Sequence, residues 1–165
     1  MSTRPNQLSR SLAKFDKLPQ ALRPWAISFA LGKIVPLVGT AGLRFHEVSG
    51  QRVVVGIRNQ RRVQNHIKGV HAAGMALLAE TATGFAVGMH LPDDKLPLIK
   101  TLKVDYLKRA QGSLTATAQL SADQIRQITT QDKGEVTVPV RITDESGGEP
   151  IHCEMLWAWV PKKRS

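Results

Sequence analysis

Leu8, Leu12, Phe15 and Leu18 are spaced by 4, 3 and 3 residues, and Pro19 follows. This is the period of an α-helix with one apolar face, ended by the proline. Beyond Arg23-Pro24, residues 25–34 predict a second, more apolar helix that stops near Lys33 to Pro36. The two helices make an arm over residues 1–38, laid either on the rest of the chain or on a lipid surface. From about residue 41 the period changes to two. The segments on either side of Ser49-Gly50 predict a hairpin. Residues 99–110 alternate. Residues 112–120 do so more clearly, with Leu114, Ala116 and Ala118 on one face and Thr115, Thr117 and Gln119 on the other. Residues 134–162 predict two long strands joined at "DESGGE", and Pro139 within the first argues for an edge strand or a bulge. Ser121 is an N-cap candidate for a short helix in between.

Residues 70–87 hold the central helix. Ala72, Ala73, Met75, Ala76, Leu77, Ala79, Ala82, Ala86 and Val87 cover nearly all of its faces, which predicts burial on all sides. Its small residues allow strand backbones to approach closely. The expected order is arm, hairpin, central helix, then four strands in an antiparallel meander. Residues 39–165 then form an α+β domain whose six-strand sheet wraps partly around one helix.

Composition narrows the class. A hydrophobic content of 42% excludes a disordered chain. Cys153 is the single cysteine, so no intrachain disulfide forms and no cysteine cluster holds a metal. It reads as a structural thiol. The N-terminus is polar and basic, unlike a secretory signal, and Lys33 and Pro36 interrupt the apolar run of residues 24–42 before it could span a bilayer as a helix. A cytoplasmic protein is expected. The net charge is +10, and residues 1–68 hold twelve Lys/Arg against only Asp16 and Glu47. Such a field attracts polyanions: nucleic acid, an anionic membrane or a nucleotide cofactor. Only 5% of residues are aromatic, and no exposed aromatic run offers base-stacking platforms. No specific nucleic acid is therefore expected, and the arm is a candidate for weak membrane-surface contact.

The central helix carries one acid, Glu80, between Ala79 and Thr81. A carboxylate among apolar neighbours is costly unless it is paired or faces a cleft. Either a solvent stripe, a lysine across an interface or a reactive groove would account for it. The first free N–H groups of the helix lie at about His71 to Gly74, where the positive end of the dipole can stabilise an oxyanion. Glu80 follows His71 by nine residues, roughly 13 Å of helical rise. It cannot serve the same carbon in one chain, but a two-fold dimer can bring one subunit's acid to the other's helix start. His66 and His71 read as a cap or a satisfied loop histidine, and their spacing fits no common zinc pattern.

The run "NHIKGVHAAGMALLAETATGFA" resembles the central-helix signature of hotdog-fold thioesterases of the phenylacetate-pathway type. In that signature an Asn stands six residues before "HGG", and an acid nine after the His. Asn65, His71 and Glu80 match these spacings, and Thr81 matches the residue that often follows the acid. "VDYLKRAQGSLTATA" is similar to the family's strand pair "YLRPA–x–G–x–L–x–A–x–A". The helical arm is similar to a poorly characterised branch of the superfamily. Two departures stand out: Ala72 and Ala73 replace the two glycines, and Arg109 replaces a proline. Alanine keeps its N–H, while its methyl narrows the approach to it.

The resemblance implies a hotdog fold, a curved antiparallel sheet around residues 70–87 preceded by two helices. It also implies an acyl-CoA thioesterase that needs neither metal nor cofactor. Glu80 of one subunit would activate water or attack the acyl carbon. Backbone N–H groups of Ala72 and Ala73 of the other would hold the oxyanion, Asn65 would orient water or the carbonyl, and His71 would shape the helix start. A homodimer, or a dimer of dimers, follows. Gly74 belongs to the same helix start as a substrate contact. Lys103, Lys108 and Arg109 are candidates for the coenzyme A phosphates, or simply solvent-facing strand residues. The alternatives are a non-catalytic acyl- or lipid-binding hotdog protein and, on charge alone, a nucleic-acid-binding module.

Overall fold

The computed structural model describes residues 5–163. The first four residues of the expected arm and the last two of the expected domain lie outside them. Helix α1 (Gln7–Ala13) runs into a 3₁₀ turn at Lys14–Lys17 and is followed by α2 (Arg23–Ile34). Asn6 begins α1: its Oδ1 accepts from the Ser9 N–H at 2.9 Å, while its Nδ2 donates to the Gly88 and Leu91 carbonyls, both at 2.7 Å. The first arm helix is thus hooked to the distant end of the central helix, where carbonyls lack intrahelical partners. It lies on the domain.

A third helix, α3 (Pro36–Ala41), is not among the expected elements. The Pro36 that ends the second helical pattern begins this one, since a proline's fixed φ suits the first turn. Gly42 closes it at φ 68°, in the left-handed region glycine tolerates best. The expected division at residues 38–39 therefore falls inside a helix.

The strands are β1 (Arg44–Val48), β2 (Arg52–Ile57), β3 (Lys95–Tyr106), β4 (Leu114–Gln119), β5 (Gly134–Thr137), β6 (Val140–Asp144) and β7 (Ile151–Pro161). All pairings are antiparallel, in the orders β1-β2-β4-β6 and β3-β7-β5. The hairpin at Ser49-Gly50 and the alternation of β4 are as expected. Ser121 caps α5 (Ala122–Thr130) in a full capping box with Gln124.

Two expectations about the sheet are corrected. Pro139 marks neither an edge nor a simple bulge. Val138 still donates to the Met155 carbonyl on β7 (3.0 Å), and the Pro139 carbonyl accepts from Gln119 at the end of β4 (3.3 Å). Lacking an N–H, the proline ends one ladder and passes the strand to the next, so β5 and β6 are halves of one inner strand joining both ladders. The four later strands are not a meander either. β3 pairs with β7, not with β4, because α4 (Ala72–Gly88) carries the chain across the sheet to its far side.

Helix α4 fills the concave face. Leu78, Ala79, Ala82 and Val87 are fully buried. At Gly84 a Cβ would stand 2.7 Å from the Trp157 ring, so only glycine permits that approach. Trp157 Nε1 donates to Thr83 Oγ1 at 2.9 Å. Burial on all sides does not hold. Ala72 and Ala73 are exposed, and Ala76, Leu77, Glu80 and Gly84 are half-buried, an open stripe at helical spacing. Among the described residues no helix is long and apolar enough to cross a membrane.

Candidate active site

Helix α4 starts at Ala72, two residues later than its hydrophobic pattern suggests, because His71 is extended (φ −62°, ψ 144°) and caps it. His71 Nδ1 accepts from the Ala73 N–H at 3.0 Å, and the His71 N–H donates to the Val63 carbonyl at 2.8 Å. The cap occupies one of the two N–H groups expected to hold an oxyanion. Those of Ala72 and Gly74 have no acceptor among the described residues. Gly74 turns its Cα inward, where a Cβ would lie 3.3 Å from Ile57 and 3.4 Å from Val70. Only its N–H remains for a ligand.

Asn65 organises the loop before the helix. Its Oδ1 accepts from the Ile67 and Gly69 N–H groups, both at 3.1 Å, and its own N–H donates to the Gly69 carbonyl at 2.9 Å. With that oxygen engaged, Nδ2 is the end left for a substrate. It can donate to a carbonyl; it cannot take a proton from water.

Glu80 lies on the open stripe. Its carboxylate has no ion pair and no hydrogen bond among the described residues, and burial pushes its pKa above the ordinary glutamate value. Beside it, the buried hydroxyl of Thr81 is also without a partner. The stripe is flanked by β3. Ile99 and Leu102 stand opposite Trp157 and Met155 of β7 and so point to the same face of the sheet as those core residues, yet both are exposed. Tyr106 at the end of β3 donates its hydroxyl to the Ala72 carbonyl at 2.8 Å, fixing the strand to the helix start.

The three basic candidates do not form one cluster. Lys103 pairs with Asp105 on β3 at 3.4 Å. Lys108 sits in the loop beyond, its N–H on the Pro150 carbonyl (3.2 Å) and its ammonium near Gly148. Arg109 reaches the loop ahead of α4, donating to the Ile67 carbonyl at 3.2 Å. There it lines a cavity of about 380 Å³ with Lys68, Gly69 and Asn59. Lys68 is the one non-glycine residue at positive φ among those described (61°), and Asn59 Nδ2 holds its carbonyl at 3.1 Å. Asn59 is absent from the sequence reading, and Lys68 and Tyr106 fall within its quoted motifs without a role assigned to either. The glycine that follows Lys68, the alternating pattern of β3 and the Tyr of the strand motif are the hints; the contacts of Arg109 with Ile67 and of Tyr106 with Ala72 span 42 and 34 residues.

Cys153 is buried on β7. Burial, and secondarily the Asp105 carboxylate, pushes its thiol up to about 11, so it is no nucleophile. Among the described residues no group of three His, Cys, Asp or Glu side chains is placed to hold a metal.

Residues 23–160 match the model of a family described as a domain of unknown function, DUF4442. The chain belongs to that family. No curated protein matches it. Among solved structures it is similar to a Pseudomonas aeruginosa protein of unknown function described as a "probable thioesterase", at 23% identity and TM-score 0.75 over 88% of this chain and 97% of that one. It is also similar to a Haemophilus influenzae thioesterase, at 14% identity and TM-score 0.64 over 79% and 88% of the two chains. A mutant thioesterase from Staphylococcus aureus aligns at 16% identity and TM-score 0.64, over 76% of this chain and 99% of that one. Identities this low speak to the fold. It is the hotdog fold, with α4 as the filling and the curved sheet around it.

Proposed function

We propose that this DUF4442 protein hydrolyses the thioester of an acyl-CoA at a groove shared between two subunits. The observation that carries the reading is Glu80: an unpaired, half-buried carboxylate on the open stripe of α4. Such a group is retained at a cost unless something across the stripe uses it. Glu80 takes a proton from a water whose oxygen attacks the thioester carbon, or its carboxylate attacks that carbon to form an anhydride that water then hydrolyses, freeing Glu80 and supplying the proton for the thiolate. In either route the C–S bond breaks, and the thiolate leaves with a proton. Developing charge on the carbonyl oxygen meets the Ala72 and Gly74 N–H groups at the positive end of α4, with Asn65 Nδ2 as a further donor. Holding Ala73 for this purpose requires His71 to swing off its cap.

Helical rise separates these donors from Glu80 by roughly 9 to 12 Å, so a second subunit supplies one or the other. The apolar shelf of Ile99 and Leu102 beside the stripe, and the edge of β3 turned away from β7, suit that partner. Lys68 and Arg109 flank the helix start and receive the coenzyme phosphates. One observation favours the non-catalytic alternative of acyl or lipid binding, namely the His71 imidazole on the Ala73 N–H.

Free-thiol release from short, long and aromatic acyl-CoAs tests the reading. Glu80→Gln should fold normally and lose ~10²-fold or more in turnover. A fully active Glu80→Gln ends the mechanism, and thermal stabilisation by acyl-CoA without any turnover assigns the binding alternative. In the same assay Arg109→Ala should raise KM several-fold at low salt with kcat kept. An unchanged KM removes Arg109 from the phosphate site.

A further inference from the structure

The open side of α2 is unrelated to that groove. Leu22, Trp25, Phe29 and Lys33 follow one another at spacings of 3, 4 and 4 residues along one face of the helix. Trp25 is 67% exposed and Phe29 59%, and their rings stack with centroids 5.9 Å apart. Leu37, near the start of α3, is exposed as well. The Lys33 ammonium stands 5.6 Å from the Phe29 ring centroid. Behind the rings lies a groove of about 740 Å³ between α2, α3 and β1, into which Lys33, Arg44 and Arg62 face. None of the three has a carboxylate partner among the described residues. Among the described residues the only acid paired with α2 is Asp16, held by Arg23 at 3.6 Å, and no Asp or Glu stands between Asp16 and Glu47 in the sequence.

We propose that α2 and the start of α3 are a peripheral docking surface for an anionic lipid bilayer. The aromatic and leucine side chains enter the interfacial zone, and Lys33, Arg44 and Arg62 meet lipid phosphates. A short helix with an exposed Trp, a Phe and a Leu on one face and cations at its margin has the chemistry of an interfacial anchor. The lysine stem lies along the aromatic ring while its charge stays at headgroup level. Charge decides against a second copy as the occupant, because a two-fold contact centred here would set these three cations near their own images with no acid to offset them. A bilayer rich in anionic lipid supplies the missing sign. The stripe is short, and the three cations in and beside its groove have no carboxylate partner among the described residues, so binding is reversible and falls with salt.

The test uses the whole chain and vesicles of phosphatidylcholine with 30 mol% phosphatidylglycerol, against phosphatidylcholine alone. Flotation at low salt should bring the protein up with the anionic vesicles only. Trp157 and Trp159 are 6% and 0% exposed, so a blue shift of tryptophan emission on binding reports Trp25. Trp25→Ser/Phe29→Ser and Lys33→Glu/Arg44→Glu should each lower the partition coefficient ~10-fold or more, with melting temperature and soluble thioesterase turnover unchanged. Wild type that stays in solution with anionic vesicles at low salt overturns the proposal. So does equal partition of wild type and both variants. A fall in solution mass of Trp25→Ser/Phe29→Ser without vesicle binding by wild type gives the surface to a second copy instead. Retention on a DNA oligonucleotide without vesicle binding gives it to nucleic acid.

Discussion

Two regions of the chain leave large apolar side chains in water, and their charges differ. The α2 surface presents Trp25 and Phe29 beside Lys33, Arg44 and Arg62, none of which has a carboxylate partner among the described residues. Along β3, Ile99 and Leu102 take the core-side face, while the opposite face of the same sheet carries charges of both signs, Lys103 with Asp105 and Lys100 with Glu135. Mixed signs can find complements on an identical subunit after a two-fold rotation, whereas a single sign cannot. Exposed apolar area alone does not tell the two apart. Charge is what separates a self-association surface from one that needs a partner of opposite sign.

The largest effect that could break this distinction lies at β3. Ile99→Lys/Leu102→Lys should convert a dimer to a monomer by light scattering and reduce thioesterase turnover by ~10²-fold or more, since neither subunit then completes a site. It should leave partition into anionic vesicles intact. Wild type that is itself a stable monomer removes the shared groove and with it the mechanism. Next in size is the reciprocal change. Trp25→Ser/Phe29→Ser should leave solution mass and soluble turnover within about two-fold of wild type while vesicle binding falls ~10-fold. If the two double variants affect the same property, the two surfaces are one interface.

The smallest effect concerns Glu80 and pH. Burial raises its folded-state pKa above the unfolded value, so its contribution to stability is full below the ordinary glutamate pKa and is lost as pH rises through the folded value. Glu80→Gln lacks that loss. It should melt above wild type at pH 7.5, with the gap closing near pH 4. A gap of the opposite sign at pH 7.5 means that a cation from the partner subunit already pairs with the carboxylate, which would sharpen the picture of the β3 shelf.

Local chemistry is legible wherever one short segment contains both partners. The Ser121 capping box, the Ser49-Gly50 hairpin and the inward Leu114, Ala116 and Ala118 of β4 each depend on residues a few positions apart. Helix α3 escapes the hydrophobic pattern although its signals are also local. Pro36 and Gly42 act as a start and a stop when placed six residues apart, and the same residues read as mere breakers when weighed singly. The motif of Asn65, His71 and Glu80 picks out the loop and helix that the candidate site uses. Its spacing does not reveal that Asn65 Oδ1 and the Ala73 N–H are already engaged within the loop and cap.

By itself, then, the sequence determined an α+β chain with one central helix, a lone acid upon it and a basic stretch over residues 1–68, because periodicity, caps and charge are properties of neighbouring residues. Only the tertiary structure decided that β3 lies beside β7, that Pro139 hands one strand between two ladders, and that Arg109 meets Lys68 rather than Lys103. It also decided which apolar residues stay uncovered. Alternation says that Leu102 and Ile99 share a face with the core, and helical spacing says that Trp25 and Phe29 share a stripe. Whether anything packs over them depends on the path of segments dozens of residues away, and α4 leaves the β3 shelf bare just as β1 covers only the inner side of α2.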